Sequence, residues 1–99
     1  MKVAGIILGR RNISAPSKQY VDLTNYYDTS SGMKIALISL FQGNYSSVFL
    51  VYSYGETLNR ITVIENASNV LRLEIIDNKL MLYNNAGNAY TVPMSIFYL

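Results

Sequence analysis

The sequence contains no cysteine, no histidine and no tryptophan, and only 14% of its 99 residues are charged. Without cysteine there are no disulfides and no thiolate metal sites. Without histidine the commonest general base near neutral pH and the commonest zinc ligand are missing too. Charge stands well below the roughly 25% of an ordinary soluble domain, whereas disorder requires low hydrophobicity and high net charge. Helical periodicity is also lacking: no window repeats apolar residues at i, i+3 and i+4 over three turns. No stretch approaches the ~18 consecutive apolar residues of a transmembrane helix. The opening Met1-Lys2-Val3-Ala4-Gly5-Ile6-Ile7-Leu8 is briefly apolar, but it meets Gly9-Arg10-Arg11 with no small-residue cleavage pattern behind it. It reads as a strand and not as a secretory signal.

The basic residues are as scattered as they are few. Eight Lys and Arg against six Asp and Glu give a net charge of +2, and the one basic pair is Arg10-Arg11. Nucleic-acid affinity grows with the number of phosphates neutralised, which calls for a clustered stripe of cations. No such stripe exists, so nucleic acid is excluded as a partner, and the arginine pair reads as a solvated strand end or loop.

What is present is a repeated texture of short β-branched or aromatic runs punctuated by Asn, Gly, Ser and Asp. That spacing predicts one all-β domain over 1–99, a sandwich or barrel of about eight antiparallel strands with little or no helix. The strands fall near residues 3–8, 19–23, 34–41, 48–54, 60–65, 71–76, 79–83 and 90–98. Residues 1–18 are the stretch open to a connecting or assembly role. Asp77-Asn78 between apolar runs predicts a tight hairpin, and Asn84 to Asn88 predicts another turn, with Gly87 available for a positive φ. Pro93, inside the last strand, marks a bulge or an edge-facing position because it donates no ladder hydrogen bond.

Alternation then says which strands have a wet face. Leu71, Leu73 and Ile75 oppose Arg72 and Glu74, giving one apolar and one polar side. Strands 34–41 and 48–54 are apolar on both sides, and in the final strand Tyr90, Val92, Met94, Ile96 and Tyr98 line one face while Phe97 and Leu99 lie on the other. A two-sheet sandwich covers only one face of each sheet, so the remaining apolar face predicts burial against a second copy. Phe49, Val51, Tyr90, Val92, Met94, Ile96 and Tyr98 are assigned to that oligomer interface.

The residues carry no recognisable catalytic set. The six carboxylates include no close pair in sequence, and no phosphate loop, serine elbow or calcium loop occurs. The chain is therefore expected to be a non-enzyme without cofactor or metal. Its nine tyrosines stand out. Tyrosine offers a flat apolar ring with a polar tip, suited to wet interfaces. Tyr26, Tyr27, Asp28, Gln42, Asn44 and Tyr45 fall in predicted loops, where aromatic rings beside amides can stack on a sugar and hydrogen-bond its hydroxyls. The other reading of those loops is that their rings fold back onto the edge of the sandwich.

The C-terminal half closes as Leu-Arg-Leu-Glu-Ile-Ile, Asp-Asn-Lys-Leu-Met-Leu-Tyr-Asn-Asn, then Ala-Tyr-Thr-Val-Pro-Met-Ser-Ile-Phe-Tyr-Leu. In pattern, over residues 33–99, this resembles the C-terminal jelly-roll domains of bacteriophage tail fibres, tail spikes and head fibres. The resemblance implies a jelly-roll β-sandwich of tumour-necrosis-factor or C1q type, a homotrimer with its terminal strand near the threefold axis. It also implies a virion location, contacts with other virion proteins, and attachment to a host surface glycan or protein. Family members usually follow a long fibrous shaft, whereas this sequence begins at Met1. The alternatives are a structural capsid or baseplate adaptor, or a non-viral carbohydrate- or protein-binding sandwich module.

Overall fold

The computed structural model describes residues 7–28, 30, 32–43, 45–66 and 69–99. Eight strands form: β1 (Ile7–Ala15), β2 (Tyr20–Asp22), β3 (Met33–Gln42), β4 (Tyr45–Tyr54), β5 (Thr57–Glu65), β6 (Leu71–Ile76), β7 (Lys79–Asn84) and β8 (Tyr90–Tyr98). One short 3-10 turn, Thr24–Tyr26, is the only helical element among the described residues. The strands make two antiparallel sheets, a five-stranded one in the order β1-β8-β3-β4-β5 and a three-stranded one in the order β2-β7-β6. This is the antiparallel sandwich that the punctuated apolar runs predict.

The wiring follows from where the chain can bury its faces. β1 pairs with β8 and β2 with β7, so the two ends of the chain nest as in a jelly roll. β3, β4 and β5 instead run as a meander, with β8 returning beside β3. The two strands that are apolar on both sides, β3 and β4, lie inside the larger sheet. β6, which alternates, turns Leu71 and Leu73 into the core and leaves Arg72 and Glu74 on its outer side.

Between the sheets sits a single core. Ile38, Leu40, Phe49, Val51, Val92 and Met94 from the large sheet meet Leu23, Leu71, Leu73, Leu80 and Leu82 from the small sheet and its approach. Full burial of one such side chain stabilises the fold by about 1.5–3 kcal/mol relative to exposure. Asn84, fully buried, closes one end of the sandwich. Its amide donates to the carbonyls of Ala15 and Asn88, both at 2.9 Å, and its oxygen accepts from the Ala86 N–H at 2.9 Å.

Three local expectations change. The first strand lies at Ile7–Ala15, with the predicted 3–8 segment largely outside the described residues. Arg10 and Arg11 are therefore inside a strand, opposite Ser95 and Met94, and not in a loop. β1 is an edge strand, and an edge can carry long cations in water while its backbone pairs on one side. Gly87 does not take a positive φ; that conformation falls to Gly32, Gly43 and Gly55 among the described glycines. Of the two positions expected for Pro93, bulge or edge-facing, it makes no bulge and its β3 side is left unpaired as on an edge. It sits one residue before Met94, at which the β8–β3 pairing ends, while its pairing with Asn12 on β1 continues.

Candidate functional site

The segment of residues 23–28 packs against the end of the sandwich where β4 and β8 finish. Tyr27 is buried, its hydroxyl 2.8 Å from Ser53 Oγ, with its ring edge-on to Tyr98 at 5.7 Å between centroids. The Asp28 backbone N–H donates to the Tyr98 hydroxyl at 2.6 Å. Burial pushes the Tyr98 phenol up to about 12, opposed by the Asp28 N–H, and burial likewise raises Tyr27. The Asp28 carboxylate accepts from the Ser30 backbone N–H and hydroxyl, both at 3.0 Å. Tyr26 keeps an exposed ring with the Arg11 guanidinium 5.1 Å from its centroid. Tyr27 thus folds onto the sandwich, and Tyr26 alone of the pair presents a surface.

Gln42 and Tyr45 lie elsewhere. They pair across the β3–β4 hairpin, at the far end of the strand from Lys34, which faces Ser53. Eight residues of strand separate the two ends, about 27 Å. Asn44 lies outside the described residues. The five described residues of that set are thus split between opposite ends of the large sheet, Tyr26, Tyr27 and Asp28 at one and Gln42 and Tyr45 at the other.

The residues assigned to an oligomer interface are placed on the inner face. Phe49, Val51, Val92, Met94, Ile96 and Tyr98 are all at most 5% exposed within the chain itself, and Tyr90 packs partly buried against the same core. A second copy cannot reach them. Period-2 geometry correctly separates the two faces, but when both are apolar it does not say which one turns inward.

The face left outward is the alternate set. In register across the sheet run Phe97, Leu37, Leu50 and Thr62, followed by Ile35, Tyr52 and Arg60. No described element packs over this face, whose strands contact the small sheet only from the other side. A shallow depression of about 320 Å³ lies in it, lined by Leu37, Ser39, Ser95 and Phe97. Among the described residues, charge appears only toward its margins, at Arg10, Arg60 and Glu65. Leu37, Leu50 and Phe97 are the residues that sequence reasoning missed as surface candidates. Their signal was the same alternation, taken with the opposite sign.

The small sheet presents a different surface. Tyr20 and Tyr83 pack tilted with centroids 4.6 Å apart, Arg72 lies 5.2 Å over the Tyr83 ring, and the Tyr20 hydroxyl meets Glu74 at 3.3 Å. Arg72 Nε has no hydrogen-bond partner, so the Tyr83 π face is the group set against it. This ladder is closed on itself. Among the described residues no three His, Cys, Asp or Glu side chains gather to hold a metal.

No protein-family model, curated protein or solved structure matches this chain.

Proposed function

We propose that the chain is a non-enzymatic, self-associating β-sandwich module, whose first partner is another copy of itself docked on the outer face of the five-stranded sheet. The single observation that carries this is the apolar row Phe97, Leu37 and Leu50 in the middle of that face, over which no described element packs. A soluble monomer rarely leaves a contiguous apolar patch beyond a few hundred Å² in water. Covering ~800 Å² per subunit at about 25 cal/mol per Å² yields roughly 20 kcal/mol gross per partner, more than the roughly 4–15 kcal/mol that association costs. A symmetric assembly is the expected form, because homo-oligomers close by point-group symmetry. Sedimentation equilibrium at micromolar concentration tests the reading. A single oligomeric species supports it, and a stable monomer across the range removes it.

The setting on a virion, as a trimeric fibre or head-fibre domain that attaches to a host surface or decorates the particle, is the finer proposal. Its support is the pattern resemblance of residues 33–99, and it requires the self-association just argued. Whether genes flanking the coding sequence encode virion structural proteins tests it; a metabolic neighbourhood would overturn it.

A further inference from the structure

At the end of the outer face, where β4 runs out, a second groove of about 330 Å³ is lined by Met33, Lys34, Tyr52, Tyr54, Asn59 and Arg60. Tyr52 and Tyr54 are two apart on β4, so both rings stand on the outer side, about 7 Å from each other along the strand. Arg60 faces Tyr52 across the β4–β5 pair, and its guanidinium lies 4.4 Å over the Tyr52 ring. That stacking fixes the guanidinium plane while leaving the N–H groups at its edge free to donate in a fork. Tyr54 is 66% exposed and carries no such cover among the described residues. Asn59 stands beside Arg60 where the register with β4 shifts between Tyr52 and Ser53, so one extra residue is aimed into the same corner. Among the described residues, no carboxylate lines the groove.

We propose that this groove binds an acidic saccharide: one pyranose ring stacked on Tyr54, its carboxylate on Arg60 and a hydroxyl on the Asn59 amide. Each part of the site matches one part of that ligand. A π face is negative and attracts the polarised C–H groups of a sugar ring, whereas it offers nothing specific to a flexible acid. A preoriented guanidinium recognises a carboxylate through two parallel N–H donors. An amide supplies both donor and acceptor, which is what a hydroxyl requires. The volume lies at the small end for ligand sites, so one or two rings are accommodated. The site stands apart from the Leu37 and Phe97 row, at its rim, and the inference does not rest on self-association.

The experiment is an NMR titration of the full chain with trigalacturonate, galactotriose and inorganic phosphate in parallel. Trigalacturonate is expected to shift the amide resonances of Met33, Tyr54, Asn59 and Arg60 saturably, with galactotriose and phosphate leaving them in place. Arg60→Gln is expected to weaken binding about tenfold or more, the loss of a charge-assisted pair, and Tyr54→Ala to weaken it similarly. Both side chains lie on the outer face, so unchanged spectra elsewhere certify the fold of each variant. No shift at ~10 mM trigalacturonate overturns the proposal. Equal shifts from galactotriose overturn the acidic part of it, and equal shifts from phosphate overturn the sugar. A monomer that binds uronate would remove the assembly reading and keep this one; an oligomer indifferent to uronate would do the reverse.

Discussion

Asn84 and Tyr98 show how single side chains here carry more than their own burial. Asn84 has no exposure and satisfies two carbonyls and one N–H from two stretches of chain, Ala15 and the turn holding Ala86 and Asn88. Removing it leaves those buried groups without partners, which costs more than the net worth of the bonds. Asn84→Ala is expected to lower unfolding free energy by roughly 2–4 kcal/mol, read as a lower urea midpoint at unchanged slope. Tyr98 has a different signature. Burial disfavours the phenolate and pushes its folded phenol up to about 12, from an ordinary value of 10.0. The proton is held more tightly in the folded state, so this contribution is intact below pH 10 and is lost as pH rises from there through 12. Urea midpoints measured at steps across that window are expected to fall. Tyr98→Phe, already less stable at neutral pH through loss of the Asp28 N–H bond to the hydroxyl, is expected to fall less steeply.

At the scale of elements the β6–β7 hairpin is the clearest case. Asp77 and Asn78 have φ of 51° and 59°, the paired left-handed conformation of a type I′ turn, as two turn-forming residues between apolar runs predict. The turn was legible because its chemistry is local. What Asn78 does beyond the turn was not. Its side-chain oxygen accepts from the Leu58 N–H at 2.9 Å and its amide donates to the Glu56 carbonyl at 2.8 Å. One side chain thus ties the turn of the small sheet to the β4–β5 corner of the large one. Partners 20 and 22 residues away leave no periodic trace in a sequence. Asn78→Gly keeps the turn and loses the tie, with an expected cost of roughly 1–2 kcal/mol. Asn78→Ala adds left-handed strain and is expected to cost about 1 kcal/mol more. Thermal melts of the two variants separate turn from tie. The same local logic explains the first strand. Gly9-Arg10-Arg11 looks like punctuation, yet an edge strand tolerates it because only one side of its backbone must pair.

For the whole molecule the open question is which apolar face meets which partner, and neighbouring residues of β3 settle it most directly. Leu37 and Ile38 differ little in volume and hydrophobicity and are adjacent in sequence. Ile38 is fully buried between the sheets, whereas Leu37 stands in the outer row between Phe97 and Leu50. Composition and alternation made both faces apolar, which is what supports the proposal of self-association. They left the sign undecided, because inward orientation is fixed by which strands the smaller sheet covers, a property of topology. If the outer face is a subunit contact, the two positions must respond oppositely. Ile38→Ala is expected to cost about 2–5 kcal/mol of folding stability by leaving a cavity. Leu37→Lys is expected to leave the far-ultraviolet spectrum and core resonances intact, because a lysine on an exposed strand face reaches water. In the assembly, however, it would place an unpaired charge in an apolar contact, and sedimentation should show dissociation to monomer at micromolar concentration. A Leu37→Lys chain that still sediments as the parent oligomer would move the contact off this face. The free β5 edge, where Val63 and Ile64 are each more than half exposed, would then be the place to look.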